Sequence, residues 1–91
     1  MFASAAVPHV NRVGPLTITI EHYWFMLVDD NKWLWQCRYK TNDGPMTTEH
    51  GESSEPRIAL PNLSIWIDSN GLHHILVEAE CDRLRVGHME L

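Results

Sequence analysis

Ninety-one residues, 44% of them apolar and 21% charged, suit one small globular domain. That composition excludes a disordered tail, a collagen-like repeat and a second domain, and no run approaches the roughly 20 consecutive apolar residues of a membrane-spanning helix. The net charge of −5 with histidine neutral argues against direct nucleic-acid binding, which needs a basic patch to neutralise phosphates.

A chain this short buries only about 60–65% of its unfolded surface, so its stability margin is thin. Domains of this size often add a disulfide, a metal or a partner subunit. Cys37 and Cys81 are the only cysteines and allow at most one internal bridge. Residues 1–8 hold an Ala-Ser-Ala-Ala run that mimics a signal-peptidase site, without the basic and apolar regions of a real signal. The expectation is a cytoplasmic protein with reduced thiols. The Asn62-Leu63-Ser64 sequon is then a chance match.

Residues 1–15 are small and polar and read as a flexible arm ending at Pro15. The single β-rich domain spans 16–91. Leu16-Thr17-Ile18-Thr19-Ile20-Glu21 alternates with period two, the pattern of a half-buried strand. From Tyr23 to Val28 both faces are apolar, and a strand this long is expected to bend or bulge near His22. Asp29-Asp30-Asn31 signals a turn. Lys32 to Lys40 alternates again, completing a hairpin. An even loop gathers Ile18, Ile20, Trp24, Met26, Trp33, Trp35 and Tyr39 on a core side; an odd loop with a bulge reverses the relation. The even loop is the expectation. It leaves Tyr23, Phe25, Leu27 and Leu34 on the opposite face.

Residues 41–57 show neither period and read as a long acidic loop, in which Asp43, Glu49, Glu52 and Glu55 face no lysine or arginine before Arg57. Arg57 to Leu60 reads as a short strand ended by Pro61, and Leu63 to Asp68 alternates. Asn70-Gly71 is a strong hairpin signal, and Leu72 to Glu80 returns as the partner strand. The segment from Ile75 to Leu91 fits a strand better than a helix, with Val86 and Gly87 favouring strand. The fold expected is mainly β, an antiparallel sandwich or open barrel of about five to six strands, with a short C-terminal helix as the alternative.

Six histidines raise the question of a metal site. His73 and His74 are neighbours on a strand and point to opposite faces. No Cys-x-x-Cys, His-x-His or His-x-x-x-His pair exists. A composite of His22, Cys37 and His74, or a His22–Cys37 nucleophile and base, would need further groups that a domain this small rarely encloses. No cofactor, metal or catalytic residue is assigned.

The aromatics carry more information. Tyr23, Phe25 and Leu34, on the second face of the hairpin, and Trp66, alternating with Ser64 and Asp68, are candidate partner-binding residues. Asp43, Glu49, Glu52 and Glu55 are the acidic candidates. The expected function is non-catalytic binding of another protein or of a second copy, with no direct nucleic acid and no membrane as partner. The alternatives are a small acidic inhibitor of a nucleic-acid-binding complex, of the kind phages use against host defences, and, from another class, a small metal- or thiol-dependent enzyme.

Overall fold

In a computed structural model of the chain, residues 2–5, 9–78 and 86–90 are described. They form nine strands: β1 (Phe2–Ala5), β2 (His9–Val13), β3 (Leu16–Asp29), β4 (Lys32–Thr41), β5 (Thr47–Ser53), β6 (Arg57–Leu60), β7 (Leu63–Ile67), β8 (His73–Glu78) and β9 (Val86–Glu90). A five-stranded sheet has the order β1-β3-β4-β5, with β2 also on β3, and a four-stranded sheet has the order β6-β7-β8-β9. All pairings are antiparallel. The sheets stack as a small β sandwich: β2 lies against β8 and β9, and β4 and β5 lie against β6. Ser54–Pro56 carries the chain from one sheet to the other. Among the described residues no helix is long and apolar enough to cross a membrane.

The mainly-β class is the one the sequence implies. The strands beyond the expected six lie in two places read as irregular. The residues expected as an arm form β1 and β2, which divide one edge of the 14-residue strand β3 between them. β1 pairs with Tyr23–Met26 and β2 with Leu16–Ile20. The expected loop at 41–57 contains β5, in unbroken register with β4 from Tyr39↔Thr47 to Trp33↔Ser53. Its polar sequence hides it from a hydrophobic-period reading, because a strand at a sheet edge is held by its backbone ladder rather than by burial.

The core is drawn from one face of each sheet. Ile18, Ile20, Tyr23, Phe25, Trp35 and Cys37 meet Ile58, Leu63, Ile65, Ile75 and Val77, all buried. The inward positions on β3 change parity between Ile20 and Tyr23. A register shift between Ile20/His22 inserts one residue, and a second shift follows between Leu27/Asp29. Tyr23 therefore lies across from Cys37, and Phe25 across from Trp35. This overturns the expected register. The Asp30-Asn31 turn is even, with Asp29 opposite Lys32, but the bulges exchange the faces. Tyr23 and Phe25 are interior, at 1% and 0% exposure, while Trp24 and Met26 lie on the outer face.

The hairpin at 69–71 falls where the Asn-Gly pair places it. The Gly71 N–H donates to the Asp68 carbonyl at 3.0 Å, and Gly71 adopts φ 81°, a region open to glycine. The Asp68 carboxylate accepts from the N–H groups of Asn70 at 2.8 Å and Leu72 at 3.0 Å. At the C-terminal end β9 is a strand on β8. Of the candidates for a helical stripe, Ile75 and Leu76 belong to β8, and Ala79 and Leu84 lie outside the described residues, as does Cys81.

Candidate interaction surface

The sequence-derived candidates do not converge. Tyr23 and Phe25 are sealed in the core, their rings edge-to-face at 5.7 Å and 69°. Their placement on an exposed face is corrected by the bulge at Ile20/His22. Tyr23 instead joins the two sheets. Its hydroxyl lies 2.5 Å from Nδ1 of His73 on β8. Burial, then the neighbouring Cys37, pushes Tyr23 up to about 12. Burial, then the adjacent His74, holds His73 below its ordinary value. Both shifts favour a neutral pair in which the phenol donates and Nδ1 accepts.

The His22–Cys37 pair does not form. His22 lies opposite Arg38 on the outer face, and Cys37 is fully buried beneath the sheet. Burial pushes the Cys37 thiol up to about 12, away from the thiolate that nucleophilic chemistry requires. His74 belongs to the outer face of the other sheet, so His22, Cys37 and His74 do not share a site. Among the described residues no three histidine, cysteine or carboxylate side chains converge to hold a metal ion.

Trp66 is half-buried within a ladder that crosses three strands. The Arg57 guanidinium carbon lies 5.0 Å from the centre of its ring. The His74 imidazole stacks on it at 5.0 Å and 6°. This repeat matches the spacing between neighbouring strands, because cross-strand partners on one face stack like planks. The His74 Nε2–H donates to the Asp68 carboxylate at 2.8 Å. Asp68 thus ties the ladder to the turn, and its carboxyl is held below the usual range, first by His74 and then by the Leu72 N–H.

The four acidic candidates are dispersed. Asp43 lies in the β4–β5 connection, beside Arg12, Pro15, Thr17 and Asn42 around a shallow cleft. Glu49 points to the inner side opposite Cys37. Burial first, then Glu49, raises Tyr39. Glu52 pairs with Lys32 at 3.3 Å and Glu55 with Arg57 at 3.6 Å. Two of the four carboxylates therefore face cations: Glu52 meets Lys32 across the β4–β5 pair, and Glu55 meets the nearby Arg57.

Leu34 lies on the outer face and is half-buried. It sits opposite Met26, next to the Trp24–Gln36 pair. Trp24, Met26 and Leu34 form an apolar centre on that face. Around it lie the Arg38–Glu21 pair at 3.3 Å, the Lys32–Glu52 pair, and the exposed His50 and Thr48 of β5. Sequence reasoning assigned Trp24 and Met26 to the core. The spacing Ile18, Ile20, Tyr23, Phe25 carries the opposite signal, since two alternating pairs offset by three positions are one face interrupted by a bulge. Against protein-family models, curated proteins and solved structures, the chain finds no match.

Proposed function

We propose that the protein is a non-catalytic module that binds another protein chain through the outer face of β3, β4 and β5. The observation that supports this is the half-exposed apolar group of Trp24, Met26 and Leu34, ringed by charged pairs. An apolar centre within a polar rim is the usual anatomy of a protein interface. The buried, high-pKa Cys37 and its separation from His22 are consistent with a non-catalytic role.

The test is a comparison of cross-linked partners of the full chain and of Leu34→Asp, with Leu72→Ser as control. Leu72 is 38% exposed and lies at the tip of the other sheet. The reading expects a partner retained by the full chain and by Leu72→Ser and lost from Leu34→Asp. Equal capture by all three chains overturns it.

A further inference from the structure

We propose that the open edge of β5 is a self-pairing edge: two copies join β5 to β5 antiparallel about a two-fold axis through His50, merging their larger sheets into one continuous sheet. This rests on the reading of the protein as a binding module, and it names a second copy as the occupant. Among the described residues β5 ends its sheet. A sheet edge presents a row of unpaired N–H and C=O groups, and proteins usually blunt it with proline, lysine, a bulge or a very short strand. The other outer strands are all shorter: β2 and β9 have five residues each, and β6 and β1 show such devices. β6 has four residues and lies between Pro56 and Pro61, and β1 also has four. β5 has seven residues, Thr47–Ser53, with no proline, no lysine and no break in its register on β4.

The order of charges on β5 selects the occupant. His50 is the central residue of the strand. A two-fold axis through it pairs every residue of the strand and sets each glutamate against a neutral residue. Glu52 faces the partner's Thr48, Glu49 faces the partner's Gly51, and His50 faces the partner's His50. Inner positions meet inner positions, so the two sandwiches stay on the same side of the merged sheet. Sliding by two positions one way sets Glu49 against the partner's Glu49, a destabilising like-charge pair. Sliding the other way leaves Thr47 and Thr48 outside the ladder. On the outer face Thr48, His50 and Glu52 are exposed, so the edge can be changed there without disturbing the core.

The test is sedimentation of the full chain across a range of concentrations, beside three variants. Wild type is expected to dimerise reversibly. His50→Lys and His50→Glu each place like charges face to face on the axis and weaken the dimer by about fivefold, the effect of about 1 kcal/mol. An equimolar mixture of the two restores association, because Lys then faces Glu. Thr48→Glu sets two like-charge pairs against the partner's Glu52 and dissociates the dimer. Within one chain it places a carboxylate opposite Arg38, so the melting temperature is held. A monomeric wild type overturns the inference, as does a dimer that the single variants leave intact or that the mixture fails to restore. Either result leaves the binding reading to its own test, the loss of capture in Leu34→Asp.

Discussion

The Tyr23 hydroxyl and Nδ1 of His73, 50 residues apart in the chain, meet at 2.5 Å across the two sheets. Tyr23 belongs to the long strand of the first sheet and His73 to the hairpin of the second. The bond therefore sets the sliding position of one sheet on the other, which apolar contacts alone specify weakly. Tyr23→Phe keeps the ring and its contact with Phe25 but leaves Nδ1 without its donor. The expected loss is about 1–2 kcal/mol, read as a lower denaturant midpoint at an unchanged slope.

The same pair makes the fold sensitive to acid. His73 titrates below its ordinary 6.5 in the folded chain, so the unfolded chain takes up its proton more readily. Its stabilising contribution is fully present above pH 6.5 and declines as the pH falls through the folded value. Asp68 adds a second, lower window. Its carboxyl is held below 3.8, so its contribution is present above that value and is lost as the pH falls through the folded one. Melting temperature followed from neutral to acid pH is expected to fall in two stages, and His73→Gln is expected to remove the upper one. A flat profile from neutrality down to the carboxylate range contradicts the assignment.

At high pH the direction reverses. Cys37 and Tyr23 are raised from 9.0 and 10.0 to about 12. Stability is then full below those ordinary values and falls as the pH rises toward the folded ones. Cys37→Ala is expected to shift the onset of alkaline unfolding upward, read by circular dichroism across an alkaline titration.

Phe25 and Leu34 separate core from surface. Phe25 is at 0% exposure, and Phe25→Ala is expected to lose about 3–5 kcal/mol. Leu34→Asp, on the outer face, is expected to lose about 1 kcal/mol and to remain folded. Chemical denaturation of the two variants reads the difference directly. The opposite ranking would restore the register in which Trp24 and Met26 fill the core.

Gly51 lies opposite Trp35, and the indole folds over it. A β-carbon built there would stand 2.6 Å from the ring, closer than such atoms approach. Trp35 is 8% exposed and has little room to give way. Gly51→Ala is expected to lose about 1–3 kcal/mol through overpacking and to shift the tryptophan fluorescence as the indole is displaced.

The sequence carries the strands whose burial is periodic. β6, β7 and the hairpin to β8 stand where alternation and the Asn-Gly pair put them, because one face of each is in the core. β5 is illegible for the converse reason: Thr47 to Ser53 has no large apolar residue, and its register comes from β4. The half-buried Leu34 and the interior Phe25 show where pattern reading fails. In a strand apolar on both faces, alternation cannot say which face is inside, and one inserted residue exchanges them. The bulge near His22 was legible from the strand's length, but its consequence lay in the spacing from Ile20 to Tyr23. The Trp66 ladder needs partners from β6 and β8, and no local pattern brings Arg57 and His74 to one ring.

Within each sheet, successive strands from β2 to β5 and from β6 to β9 are hairpin neighbours, and the passage from one sheet to the other is made at Ser54–Pro56. The molecule is therefore two meanders written end to end. A nick at this passage leaves every strand ladder intact. The halves, 1–53 and 54–91, each keep their own pairing and one apolar face, and those faces are complementary. Such a chain is suited to fragment complementation, with reassembly of the halves driven by the same apolar faces that close the intact sandwich. Because six of the seven described strand pairs join consecutive strands, folding of the uncut chain is expected to be fast for an all-β domain.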